Sequence, residues 1–353
     1  MGTWIGSILV GGLAEVVEYL SAHVLTCLVP AFFIAGGIAA IVSTGPILRY
    51  FGPLAAKHVA YGVASVSGVI LAVCSCTVLP LFGGIYRKGA GLGPAVTFLY
   101  SGPAINLLAI VLTAKAIGFE MGLARAVGAI LFSIVIGLIM AFLYRSEEKA
   151  RAENAAAFGG EEGAKSQWLY LAFFSTLVAI LLVGTAAIPF WSKIALLVAL
   201  INTVVVICSR WFSAEEVLAW LSETWRLAKL IFPVLLVGVF IAGAIKVILP
   251  PEWITRLVGG NSLQANFLAA VAGALMYFST LTEVPIIKAL MDLGMGQGPA
   301  LALLLAGPAV SIPNMLVVRK IMGTEKTLVY LFLVTTLAAA TGMMFGSISA
   351  NWS

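Results

Sequence analysis

Charge is what this sequence has least of. Asp, Glu, Lys and Arg make up 10% of its 353 residues, against about a quarter in a soluble domain, so an ordinary water-soluble fold is excluded. Histidine is nearly absent, with His23 and His58 the two copies. The four cysteines (Cys27, Cys74, Cys76 and Cys208) show neither a C-x-x-C nor a zinc-finger spacing, which argues against a disulfide framework and a zinc module. The opening MGTWIGSILVGG lacks the basic stretch that a cleaved signal peptide carries ahead of its apolar residues. No G-x-x-x-x-G-K-[ST] loop occurs, so direct use of ATP would need a partner chain. A net charge of +5 without clustered cations and aromatics leaves no nucleic-acid footprint.

What is abundant is apolar. Hydrophobic residues make up 61% of the chain. They form runs near 24–42, 59–82, 94–114, 122–144, 168–190, 193–209, 230–249, 264–282, 299–318 and 327–347. Each run crosses or nearly crosses a hydrocarbon core of roughly 30 Å. In lipid the backbone must satisfy its own hydrogen bonds, and runs of this length do so as helices; a barrel would show short alternating segments. The expected fold is all-α, a multi-pass protein of the cell (inner) membrane with about 8–10 transmembrane helices in contact with the bilayer. Glu15, Glu18 and His23 interrupt the start, so residues 1–23 read as an interfacial segment rather than a clean span.

The polar stretch 145–167 mixes both signs and reads as a solvent-exposed connector loop, cytoplasmic by its Arg145, Lys149, Arg151 and Lys165. Residues 168–229 supply linking helices. Within them Ser209–Lys229 places Leu218, Leu221, Trp225 and Leu227 at helical spacing, as in a surface amphipathic helix or an entry helix. The segments on either side are related to one another. At an offset of 205, residues 80–120 match 285–325 at 13 of 41 positions without a gap, where composition alone gives about three or four. GAGLGPA (89–95) faces GMGQGPA (294–300), SGPA (101–104) faces AGPA (306–309), and FIAG (33–36) faces FIAG (240–243) at offset 207. Two repeats follow, 24–144 and 230–347. They are parallel if each crosses four times and inverted if one segment of each is re-entrant. Counting Lys and Arg over alternate loops with four crossings gives no useful asymmetry.

Each repeat has a polar cluster ahead of a proline: Cys74-Ser75-Cys76-Thr77 before Pro80, and Ser279-Thr280-Leu281-Thr282-Glu283 before Pro285. Hydroxyl side chains in apolar helices are as often packing groups as ligands. Glu283 is costly in such a run and is expected to face a cavity, or to pair with Lys288 or Lys246. Cys74 and Cys76 point about 200° apart on a helix and share a face only on extended backbone. They are either a soft-metal or metalloid site or ordinary small buried side chains. The GPA tripeptides put Gly102-Pro103 and Gly307-Pro308 inside long apolar runs, where proline removes an amide donor and kinks or breaks the helix. Paired breaks are the mark of discontinuous transporter helices. Asn106, Ser311 and Asn314 follow them, where a new helix N-terminus offers free amides. With Ser101, Thr282, Glu283, Cys74 and Cys76 they make up the candidate substrate site, and Pro80 and Pro285 are candidate breaks beside Pro103 and Pro308.

CSCTVLPLFGGIYRKGAGLGPAVTFLYSGPAINLLAIVLT (74–113) resembles the signature of the ArsP-type, YraQ-like permeases, in which Cys-Ser-Cys precedes a proline, a Lys-Gly turn and Ser-x-Pro-Ala-Ile-Asn. The segment with Glu283, Pro285 and AGPAVSIPN (306–314) is similar to the same family, and the likeness covers most of the chain. Cys74, Cys76, Ser101, Pro103 and Asn106 match directly; Gly102 and Leu107 stand where many relatives carry Ser and Pro. The resemblance implies an inner-membrane permease whose characterised relatives export trivalent organoarsenicals or are linked to metal tolerance. The expected function is secondary-active export of a small thiophilic solute (an organoarsenical, a metalloid or a soft metal ion) with no catalytic residue and no cofactor. Glu283 is expected to take a proton on one side and release it on the other. Two readings compete: a membrane thiol redox enzyme using Cys74 and Cys76, and a membrane subunit of a multi-component permease with no transport alone; a homo-oligomer or a partner subunit is left open. The lack of a C-x-x-C weighs against the enzyme.

Overall fold

The computed structural model describes residues 2–21, 28–41, 51–52, 55–71, 75–158, 167–186, 188–248, 257–276 and 283–349. In chain order its helices are α1 (Gly2–Tyr19), α2 (Val29–Ala40), α3 (Lys57–Leu71), α4 (Ser75–Arg87), α5 (Leu92–Ala104), α6 (Leu107–Ala116), α7 (Phe119–Leu143) and α8 (Arg145–Phe158). There follow α9 (Gln167–Thr185), α10 (Phe190–Trp211), α11 (Ala214–Ile248), α12 (Leu263–Leu275), α13 (Glu283–Asp292), α14 (Gln297–Val310), α15 (Ile312–Met322) and α16 (Thr324–Ser349). Among the described residues the only strand-like pairing is an isolated bridge between Gly259 and Met295. The protein is an all-α polytopic membrane protein.

Apolar length decides which helices can span. Among the described residues α7, α10, the Ala214–Ile241 part of α11 and α16 are each long and apolar enough alone. Two further crossings are bent: Leu92–Ala104 with Ala109–Ala116 by 44°, and Gln297–Val310 with Ile312–Met322 by 46°. Shorter apolar helices lie at Val29–Ala40, Trp168–Gly184 and Leu263–Leu275. Large apolar side chains such as Leu131, Phe142, Trp191, Val205 and Phe332 are exposed on these helices, as a surface solvated by lipid requires.

Side-chain contacts fix how the helices run. The Tyr144 hydroxyl, at the C-terminal end of α7, donates to Glu325 at the start of α16 (3.1 Å), and Lys326 pairs with Glu147 at 2.6 Å. The two long helices are therefore antiparallel, and these ends share one face of the molecule, the connector face. α5 starts at this face, where the Leu92 and Gly93 amides donate to Glu148. Lys57, opening α3, lines a cavity there with Arg145, Glu148 and Lys149, and Gly91, just past α4, donates its amide to the Phe51 carbonyl. Deeper in, Ser101 Oγ donates to the Ala64 carbonyl (2.8 Å) and Val78 packs on Gly102. So α3 descends from the connector face and α4 returns to it. α12 and α13 do the same from the opposite face. There Asn261 donates to the Met343 carbonyl near the end of α16, and Gly296 to that of Val258, while Gly273 and Glu283 reach inward to Gly307.

Local geometry recurs at the offset read from the sequence. Gly89 and Gly294 close α4 and α13 with φ of 94° and 110°, a conformation only glycine adopts without strain. The amides that follow donate from Ala90 to Ile85 and from Met295 to Leu290, the same helix-ending motif twice.

Three expectations are revised. The connector is not a loop throughout: Arg145–Phe158 is helical, because it is alanine-rich and places Glu147 and Glu148 against the positive end of its dipole. For Ser209–Lys229 the entry-helix reading holds and the separate surface helix does not. Ser213 and Glu216 form reciprocal caps (2.7 and 3.2 Å) and α11 then runs unbroken through 229/230 to Ile248. Pro80 lies inside an unbroken α4, and Pro285 is the third residue of α13. Pro285 sits in a first turn, where a missing amide costs little, whereas Pro80, the sixth residue of α4, gives up the bond to the Cys76 carbonyl without ending the helix.

Candidate functional site

Every residue of α5 is buried, as is Gly298–Val310 of α14. Helices apolar and covered on all sides lie at the centre of a bundle, so the two broken spans form the core. They meet where the Tyr100 hydroxyl donates to the Leu305 carbonyl at 3.2 Å. Leu305 is 205 residues after Tyr100, so a residue touches its own counterpart, as happens beside a two-fold axis.

Around this crossing lies a buried ion pair. Arg125 of α7 donates to Glu283 at 3.1 Å, and neither side chain is exposed at all. The other guanidinium amine donates to Thr113 Oγ1 at 3.1 Å, leaving Arg125 Nε and Glu283 Oε1 without hydrogen-bond partners among the described residues. Glu283 is the first residue of α13, where the helix dipole favours a carboxylate. Its second oxygen faces the bend: a Cβ on Gly307 would lie 2.9 Å from Oε1. The first repeat makes the same contact without charge. There a Cβ on Gly102 would lie 2.7 Å from Val78 Cγ2, and Val78 is the counterpart of Glu283. The counterpart of Arg125 is Tyr330, buried with its hydroxyl unpartnered among the described residues. One of two equivalent places has been given charges.

The breaks come after the prolines rather than at them. α5 runs through Pro103 to Ala104, Ile105 donates its amide to the Ser101 carbonyl, and Asn106 Oδ1 accepts from the Ala109 amide (3.4 Å) to open α6. α14 runs through Pro308, Ser311 is extended (ψ 151°), and Pro313 sits in the first turn of α15. Asn314 donates to the Pro308 carbonyl at 3.2 Å. Asn314 Oδ1 and Ser311 Oγ are buried with no partner among the described residues. Each such group costs about 1–3 kcal/mol, which makes this bend, with Glu283 Oε1 against it, the most polar-competent spot in the core.

Glu283, Ser311 and Asn314 thus come together around Gly307-Pro308, while Ser101 and Asn106 flank the equivalent bend of the first repeat. Cys74 and Thr282 lie outside the described residues, as does the side chain of Cys76, so the thiol site is not described. From Ser75 onward the backbone is helical, not extended. Of the two expected partners of Glu283, Lys288 pairs instead with Asp292 at 2.5 Å near the surface, and the Lys246 side chain lies outside the described residues. Arg125, Thr113, Tyr100 and Tyr330 were missed. Arg125 carried a legible signal, being the only charge between Met121 and Leu143. A larger cavity, of about 720 Å³, lies between α2, α9, α10 and α11. Its walls, with Phe33, Leu177 and Val205, are almost wholly apolar, and none of the candidate residues lines it.

The predicted-permease model ArsP_1 matches residues 10–347. The chain belongs to this family. It is 46% identical over 345 residues to UPF0718 protein MJ0584 of Methanocaldococcus jannaschii, covering 94% of each chain. It is 24% identical over 280 residues to UPF0718 protein YraQ of Escherichia coli, covering 78% of this chain and 64% of that one. No solved structure matches it. A permease of this family lies in a bilayer and moves a small molecule, and the buried pair belongs to that setting.

Proposed function

We propose that this permease is a secondary-active exporter of a small thiophilic solute (an organoarsenical, a metalloid or a soft metal ion) at the inner membrane. Its two repeats are inverted and rock about the paired bends, with Glu283 as the proton-coupling group. The buried Arg125–Glu283 pair, joining the halves beside the α14 bend, is the observation that carries this reading. Separating the halves would strand two charges, which costs about 3–5 kcal/mol when one partner is lost. A proton on Glu283 discharges the carboxylate and weakens its hold on Arg125, which keeps its bond to Thr113 and must meet water or an anionic group as the halves part. A substrate group at Ser311 and Asn314 would occupy the donors and acceptors left over. The antiparallel α7 and α16, and the two hairpins entering from opposite faces, support inversion.

Orientation follows from charge. The connector face carries Lys57, Arg145, Lys149 and Lys326 together with the helix-end cations Arg87, Arg319 and Lys320. Described helices ending at the other face carry Lys115 and Lys288. Cations gather on the cytoplasmic side, so the connector face is cytoplasmic. Cys74 and Cys76, between the end of α3 and the first turn of α4, supply the soft donors of the substrate reading.

The test is uptake into inverted vesicles holding the purified chain, with an organoarsenical or antimonite as solute and an imposed pH gradient. The E283Q protein is expected to lose gradient-driven transport. Wild-type rates at every pH would sink the coupling role. The C74S/C76S protein is expected to lose transport of thiophilic solutes, and unchanged uptake would remove thiols from substrate binding.

A further inference from the structure

We propose that the connector face carries a binding site for an anionic phospholipid. A cavity of about 490 Å³ opens there between α3, α5, α7 and α8. Lys57, Arg145 and Lys149 line it, and none of them forms an ion pair among the described residues. The one carboxylate in the cavity, Glu148, is engaged by the Leu92 and Gly93 amides. The N-terminal end of α3, positive by its dipole, opens on the same space at Lys57. Cationic character therefore remains after Glu148 is counted.

The inner wall has the opposite chemistry. Leu138 and Phe142 lie in the last turns of the α7 span, and Phe142 is 74% exposed. Arg145 and Lys149 follow directly in α8, beyond the span. Cationic rim and apolar wall thus meet at the level where a lipid headgroup meets its acyl chains. Basic pockets at this depth select anionic headgroups, whereas a free small anion would have no use for the wall. Among the described residues the corresponding corner at the opposite face is built from neutral groups. There Gln297 accepts from Ser349, and Asn261 stands against Gly298 and Gly346. The selectivity is therefore one-sided.

The full chain would be reconstituted in vesicles of equal phosphatidylcholine and phosphatidylglycerol, extracted gently, and its retained lipid measured by native mass spectrometry. Wild type is expected to retain phosphatidylglycerol over phosphatidylcholine by roughly tenfold. K57Q/R145Q/K149Q is expected to fall to near parity, and K57R/R145K/K149R to keep the preference. Equal retention of both lipids by wild type overturns the proposal, as does an undiminished preference in the glutamine variant. Displacement of the lipid by millimolar inorganic phosphate would assign the pocket to a small anion instead. Should the triple variant not fold, the wild-type ratio and R145Q alone decide. None of these residues touches Arg125 or Glu283, so transport failure and lipid failure are read separately.

Discussion

Arg125 and Glu283 are two charges that the core has to hold without water. Removing one leaves the other buried and unpaired, while removing both restores an apolar contact. R125M or E283L alone is expected to destabilise the protein by about 3–5 kcal/mol, and R125M/E283L to recover most of that loss. Denaturant unfolding in mixed micelles measures it, and a double variant no more stable than the singles would show that the pair is not coupled. Recovered stability with transport still absent would separate the functional role of the pair from its structural one. At this scale sequence reading found Glu283 from its cost but not its partner. Arg125 lies 158 positions away, and no local pattern points to it; Lys288, five residues along α13, is nearer in sequence but about 140° around the helix from Glu283.

The bends are properties of elements rather than of single prolines. Pro103 and Pro308 each weaken a last turn, but the chain leaves the helix where a following group stabilises a new start, Asn106 in one repeat and Pro313 in the other. α11 presses on the second bend: a Cβ on Gly238 would lie 2.5 Å from Pro313 Cα, a backbone atom that cannot rotate away. G238A is expected to cost about 1–3 kcal/mol and to impair transport by displacing the bend. G62A, on a helix with nothing within 4 Å of the new Cβ, is the control. It should be neutral or stabilising by about 0.5–1 kcal/mol. Thermal unfolding alongside transport distinguishes the two, and an unperturbed G238A protein would mean that α11 does not hold the bend.

For the whole molecule the decisive contact is Tyr144 with Glu325, backed by Glu147 with Lys326. It places the end of one long helix against the start of the other, so the two run antiparallel. Treatment with a water-soluble carbodiimide is expected to join Glu147 to Lys326, 2.6 Å apart, through an amide bond, and not to do so in the K326Q protein. If alternating access opens this face, the crosslinked protein should stop transporting while the K326Q protein, treated alike, continues. Efficient transport in the crosslinked state would show that the connector face need not open. The same contact explains why counting cations over alternate loops was uninformative. With hairpins that enter and leave by one face, the alternation of loops is not the alternation of sides.

By itself the sequence determined that the chain is helical and lives in lipid, because scarce charge and long apolar runs leave the backbone no other way to satisfy itself. It also showed glycine and proline positions, which dictate backbone shape, recurring at 205, and it drew attention to both bends. Only the tertiary structure decided that the equivalent helices α7 and α16 run in opposite directions, that Pro80 and Pro285 leave their helices whole, and that Arg125 answers Glu283. The reason is common to all three. Direction, helix continuity and ion pairing in a bundle depend on which surfaces pack together, and packing joins residues that no local pattern connects.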